Sequence, residues 1–249
     1  MSFVLAPASR LERSLHREET MIEFEQVTKR YFGRDVLENL SFSANPGEIT
    51  GLLGRNGAGK TTALRILVGL EKANSGAAKI NGTSFSQLRP GVVGVGLSPA
   101  FSPTRTVMQQ LSVSALALGA SRDAVKKTLE VTELDNVAHK RCMSLSLGMK
   151  QRLLLACATV ADPEVLILDE PVNGLDPDGI AWLHGYLKDF ATSGATVLVS
   201  SHYLNDLQTY ANKIVIIQGR TLWSGHWPNE TEPSLPELYA RTTSGLDIR

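Results

Sequence analysis

The chain has 249 residues, enough for one large α/β domain or two small ones around a well-buried core. Lys plus Arg balance Asp plus Glu at 25 each, so charge supplies neither the positive field that draws nucleic acid nor an acidic, solvated tail. Two cysteines, Cys142 and Cys157, with no C-x-x-C pair, exclude a disulfide scaffold and read as small thiols in a reducing compartment.

Residues 1–20 carry a short apolar patch from Phe3 to Ala8 and then mixed charges. They lack the basic start and long apolar stretch of a signal peptide and are expected to be a flexible or helical extension, or an over-long start. Ile22 to Val27, then Leu40 to Ser43, alternate apolar and polar residues and predict antiparallel strands with one wet face. Ile49 to Leu53 is an apolar run ending in a glycine-rich turn, and a helical pattern follows from Lys60 to Leu70. Ala77 to Ile80 reads as a short strand closed by the Asn81-Gly82 turn.

From about Ser98 to Val160 the spacing predicts an inserted helical subdomain. Its longest apolar run, Leu153 to Val160, falls well short of the about 18 residues a membrane-crossing helix needs, so the protein is expected to be soluble by itself. Val165–Leu168, Thr196–Ser200 and Lys213–Ile217 are further apolar strands, the first two separated by a helix around Ile180–Phe190. Buried strands alternating with helices predict an α/β fold, a parallel sheet covered on both faces. The main domain is expected over 21–225, and the proline-containing tail, 226–249, is expected to wrap the surface.

Gly54-Arg55-Asn56-Gly57-Ala58-Gly59-Lys60-Thr61 matches G-x-x-x-x-G-K-[ST] in full, between a predicted strand and a predicted helix. Glycines let successive backbone N–H groups turn inward around a phosphate, and the following helix points its positive end at the same anion. Lys60 would reach the β- and γ-phosphates of ATP, and the Thr61 hydroxyl would bind Mg²⁺. Val165 to Leu168 runs into Asp169-Glu170 at a strand end, where ligands of parallel sheets bind. Adjacent carboxylates there suit a triphosphate: Asp169 is expected to hold the metal and Glu170 to orient and deprotonate the attacking water. His202, at the equivalent end of the strand Thr196–Ser200, can hydrogen-bond the γ-phosphate and its transition-state charge.

These residues carry a family resemblance. Leu145-Ser146-Leu147-Gly148-Met149-Lys150-Gln151-Arg152 resembles the signature motif of ATP-binding cassette (ABC) ATPases, Gly174-Leu175-Asp176-Pro177 the D-loop, and Ser200-Ser201-His202 the switch-histidine loop. With the phosphate loop they stand in the family's order over about Met21 to Gly225. The resemblance implies a phosphate-loop NTPase (RecA-like) parallel core, an N-terminal antiparallel β subdomain and the inserted helices. It implies a head-to-tail pair of cassettes, homodimer or heterodimer, with Thr62 completing the phosphate loop and Ser146 and Gly148 binding the partner's ATP. Tyr31, 23 residues before Gly54, stands where the family places an aromatic on adenine, and Phe32 is the alternative.

Two departures stand out. Leu147-Gly148-Met149 stands where the family carries two glycines and a glutamine, so Ser146 and the second glycine remain. With the Asn173-Gly174-Leu175-Asp176-Pro177 run, this variant is similar to cassettes of bacterial antibiotic, bacteriocin and multidrug-type exporters. Ser98 stands nearest to the position of a glutamine that touches Mg²⁺ and couples the site to the membrane subunit. Gln109 could substitute, although Thr106-Val107-Met108-Gln109 reads as a helix capping box. The resemblance implies an exporter's ATPase subunit at the cytoplasmic side of the membrane, paired with a separate multi-spanning permease docked near Ser98–Leu116. A soluble cassette of non-transport role and an importer subunit are the alternatives. Neutral charge and the short segment after Gly225 speak against them.

Overall fold

Alternation along a strand sends successive side chains to opposite faces, so a strand with two buried faces must be apolar throughout. Val165-Leu166-Ile167-Leu168 shows this directly: Val165 and Ile167 enter one core layer and Leu166 and Leu168 the other. The computed structural model describes residues 21–228 and 234–244; the expected extension over 1–20 lies outside them.

The first half contains β1 (Ile22–Tyr31), β2 (Arg34–Ala44), β3 (Ile49–Leu53), α1 (Lys60–Leu67), β4 (Ser75–Ile80) and β5 (Val93–Gly96). The helical insertion follows as α2 (Val107–Leu118), α3 (Arg122–Val131) and α4 (Leu147–Thr159). Next come β6 (Val165–Asp169), α5 (Pro177–Thr192), β7 (Thr196–Ser201), α6 (Leu204–Tyr210), β8 (Lys213–Ile217), β9 (Thr221–His226) and α7 (Leu235–Thr243). The strands form an antiparallel sheet in the order β2-β1-β4 and a larger sheet in the order β5-β6-β7-β3-β8-β9. The larger sheet is parallel except for β9, which pairs antiparallel with β8.

Three apolar clusters hold the molecule. The antiparallel sheet and α1 cover one face of the large sheet through Phe24, Phe42, Leu64 and Leu67. Helices α5, α6 and α7 cover the other through Leu187, Leu207 and Leu238. Each fully buried side chain of this size contributes about 1.5–3 kcal/mol of transfer free energy. The insertion has its own core: Val107, Leu111 and Ala115 recur every fourth residue on α2 and meet Leu129 of α3 and Leu153 of α4. Among the described residues no helix is long and apolar enough to cross a membrane.

The C-terminal segment differs from expectation. Instead of wrapping the surface, residues 235–243 of the tail form a docked helix with Leu235 and Leu238 buried, and residues 221–226, at the end of the main domain, add an edge strand. Pro236 sits in the first turn of α7, where a missing N–H costs nothing. The Ser234 hydroxyl caps that turn, accepting from the Glu237 N–H at 3.3 Å. Residues 229–233 and 245–249 lie outside the described residues.

Candidate nucleotide site

Strands β6, β7 and β3 are consecutive neighbours, and their parallel register fixes which residues meet at the C-terminal edge. Asp169 pairs with Ser200, and Leu53 with Ser201. The loops bearing Gly54–Thr61, Asp169-Glu170 and Ser200–His202 therefore leave the sheet side by side, at the edge where parallel sheets bind ligands.

The phosphate loop is tied to this edge by the Gly54 N–H, which donates to the Ser201 carbonyl at 3.3 Å. Gly59 turns the chain into α1 at φ +95°, and a Cβ there would lie 2.5 Å from Leu37 Cδ2. Both the left-handed backbone and the missing side chain are thus required. No side chain caps α1, so its first N–H groups face the loop rather than a hydroxyl. Lys60 is only 6% exposed. Its ammonium donates to the Gly54 carbonyl at 2.6 Å and the Arg55 carbonyl at 3.2 Å, and lies 3.1 Å from Glu170 Oε1. A buried charge held this way is paired and fully hydrogen-bonded.

Asp169 Oδ2 accepts from the Thr61 hydroxyl at 2.7 Å, and Oδ1 accepts from the Ser200 hydroxyl. Thr61 and Asp169 are thus already together and offer only oxygen donors, as a hard cation such as Mg²⁺ prefers. Among the described residues no trio of His, Cys, Asp or Glu forms a metal cage. Mg²⁺ needs none, because it takes most of its ligands from phosphate and water.

Glu170 adopts φ +49°, the left-handed region that a residue with a side chain enters rarely. Its N–H is held by Ser200, donating to Oγ at 3.0 Å and to the carbonyl at 3.2 Å. Such conformations persist where the surroundings overdetermine them, and they cluster at functional sites. The carboxylate is spanned by two groups, with Lys60 at Oε1 and the His202 Nδ1 at 2.7 Å from Oε2. That contact leaves the other ring nitrogen of His202 for a further partner.

These groups open on a cavity of about 310 Å³, lined by Arg55, Asn56, Gly57, Ala58, Gly59, Lys60, Thr61, Thr62, Glu170 and His202, with Val36 and Asn173. Its size lies in the roughly 300–1,000 Å³ range of small-molecule sites. Val36, Asn173 and the tethering Ser200 are not among the site residues expected from the sequence. Ser200 carried one legible signal, its place in the Ser-Ser-His run, whereas Val36 has none.

Other candidates lie apart from this cavity. Tyr31 is outside its lining, with Lys29 Nζ 4.8 Å over the ring, and neighbouring Phe32 is fully exposed. Ser146 and Gly148 are also outside it. Ser146 is the exposed N-cap of α4 and accepts from the Met149 N–H at 3.2 Å. The same helix reaches the cavity wall through Gln151 Nε2, which donates to the Asn173 carbonyl at 3.2 Å. Gln109 closes the capping box, accepting from the Thr106 N–H at 2.9 Å, while its own N–H donates to the Thr106 hydroxyl at 3.2 Å. Ser98, one loop beyond β5, accepts at its carbonyl from the Ala100 N–H.

A glycine loop after a buried strand, carrying a lysine and a hydroxyl, with two carboxylates across from it, defines a phosphate-loop nucleoside triphosphatase. The family description "ABC transporter" matches residues 37–173. The chain is 39% identical over 213 residues to the Nod factor export ATP-binding protein I of Burkholderia thailandensis, covering 82% of this chain and 70% of that protein. It is 37% identical over 229 residues to the bacitracin transport ATP-binding protein BcrA of Enterococcus faecalis, covering 90% and 72%. Among solved structures, an ATP-binding subunit of an ABC transporter superposes with a TM-score of 0.81 at 29% identity, covering 90% of this chain and all of that one. The chain belongs to the ABC transporter family as an ATP-binding domain: it is a transporter ATPase that binds and hydrolyses ATP.

Proposed function

We propose that this ATPase drives export as one of two cassettes, each ATP lying between the phosphate loop of one and the signature helix of the other. The observation that carries this reading is the split just described. The groups for binding and hydrolysis line one cavity, while Ser146 and Gly148 stand outside it on an exposed helix start. Ser146 uses its oxygen as an acceptor for the helix cap, so its O–H remains a donor for a partner's γ-phosphate. One relative's name, Nod factor export, supports export as the direction, and the other, bacitracin transport, supports transport. An ATP-binding protein that drives transport needs a membrane-crossing partner, so this chain sits at the cytoplasmic side of a separate multi-spanning permease.

Within the cavity, Lys60 holds the β- and γ-phosphates, and Thr61 and Asp169 would hold Mg²⁺; Tyr31, outside the cavity lining, would stack on the base. Held by Thr61 and Asp169, Mg²⁺ would neutralise negative charge that develops on the phosphates. Glu170 orients the attacking water and accepts its proton, while His202 fixes the carboxylate and donates to the γ-phosphate. As phosphate draws Lys60 toward itself, Glu170 exchanges an ion pair for the water.

Glu170→Gln keeps the size of the side chain and removes its basicity. ATP binding should persist, turnover should fall by about 10²–10⁴-fold, and the chain should elute as an ATP-bound pair. Turnover near the native rate would overturn the role of Glu170. A Gln variant that stays single at saturating ATP would overturn the shared sites. Extraction from native membranes in mild detergent should bring down a multi-spanning protein, and a purely soluble distribution would overturn the exporter reading.

A further inference from the structure

His184 of α5 and Asp206 of α6 make a largely buried polar contact that the nucleotide chemistry does not use. His184 Nε2 lies 2.5 Å from Asp206 Oδ1, with side chains only 16% and 9% exposed. Tyr210 closes the cluster, its hydroxyl donating to Asp206 Oδ2 at 3.4 Å and its ring lying 4.4 Å from the imidazole. Burial, reinforced by the charge of Asp206, pushes the Tyr210 phenol well above its ordinary range, so it remains a donor. Thr209 completes the ring of contacts, donating to the Asp206 carbonyl at 2.8 Å and lying 3.1 Å from His184 Nδ1.

An aspartate in a helix's first turn is ordinary, since it complements the helix dipole. That role does not require a buried imidazole on another helix. The place of α6 in the chain supplies the reason for one. It begins two residues after His202, and its N-cap, Tyr203, makes no side-chain cap. The Tyr203 ring lies 3.9 Å from that of His202, and its N–H donates to Ser201 Oγ at 3.0 Å. The orientation of His202 against Glu170 is therefore set by how the first turn of α6 is held, and the polar group holding that turn to α5 is Asp206 through His184.

We infer that His184 and Asp206 are a positioning pair for the switch histidine, fixing the start of α6 so that His202 meets Glu170 and the γ-phosphate. This rests on the reading that His202 assists hydrolysis. The pair touches neither substrate nor metal, so its loss should lower kcat while leaving ATP affinity alone.

The test replaces both partners at once, His184→Phe with Asp206→Leu, so that no unpaired charge is left buried. Misplacing a catalytic group should cut kcat about tenfold, with KM for ATP within about twofold of native. His184→Gln keeps an N–H for Asp206 but not the ring, and should retain at least about half of native kcat. A double variant with native kcat, or a Gln variant as slow as the double variant, would overturn the inference. Should the double variant not fold, Asp206→Asn carries the test: kcat down about threefold at constant KM supports the pair, and native kcat refutes it.

His202→Ala separates the two readings. If it keeps native turnover, the role of His202 itself fails. If it is slow, adding the double substitution should slow it no further; an equal further drop would show that the pair acts by another route.

Discussion

The two ends of the nucleotide machinery are built differently. At the sheet edge, Lys60, Thr61, Asp169, Glu170, Ser200 and His202 are knitted together by contacts within one chain. At the signature end, Ser146 makes one local cap bond, and neighbouring Leu147 is 53% exposed. A preorganised cluster can bind phosphate alone. An exposed helix start, with its donors turned outward, gains its role from what approaches it.

The largest effect should come from breaking the knitted end. Lys60→Ala removes the charge that reaches three oxygens, at Gly54, Arg55 and Glu170. Loss of one preorganised electrostatic group costs about 10²–10³ in turnover. Here nucleotide binding should fail too, which equilibrium titration with a fluorescent ATP analogue would check; native affinity would mean that the loop backbone alone holds the phosphates.

The exposed end offers a sharper comparison, because it has a twin. Ser146 and Thr106 cap α4 and α2 in the same way, each hydroxyl accepting from a backbone N–H at 3.2 Å. Replacing either by Ala should cost about 1 kcal/mol, or roughly 2–4 °C of melting temperature for a chain of this size. Only Ser146→Ala should also slow turnover, by about tenfold if one hydrogen bond to the transition state is lost, and it should leave nucleotide affinity of the single chain intact. Equal ATPase rates for the two variants would reduce Ser146 to a cap.

What could be read from the sequence follows the same division. The large sheet was legible because strands buried on two faces have to be apolar runs, as from Val165 to Leu168. The phosphate loop was legible because its chemistry is local. The capping box at Thr106–Gln109 was legible because both of its bonds join residues three apart. Residues whose roles depend on register were not. Ser200 reaches Asp169 only because β7 lies beside β6, and Val36 reaches the cavity only through the placement of β2. The edge strand Thr221–His226 was hidden for another reason: with one side unpaired and residues partly exposed, it lacks the apolar run of the inner strands. His184 and Asp206, 22 residues apart on two helices, leave no local pattern at all.

The smallest effect tests whether the helical insertion behind the exposed end is itself loose. Burial pushes the Cys157 thiol up to about 11, more than a hydrogen bond from Ser114 draws it down, and burial raises Cys142 as well. Below these raised values both remain neutral thiols, so at pH 7 the reactive thiolate is scarce and alkylation should be slow. Denaturant should release both, as counted by mass after iodoacetamide treatment. Cys142 is buried in the cluster that also takes Leu145, just before the signature helix, and Leu153, within it. Slow alkylation would therefore place the openness of this end in its surface alone, over a closed core. Rapid alkylation of the native chain would show that the insertion breathes as a unit, and the contrast with the knitted end would then be one of stability as well as of contacts.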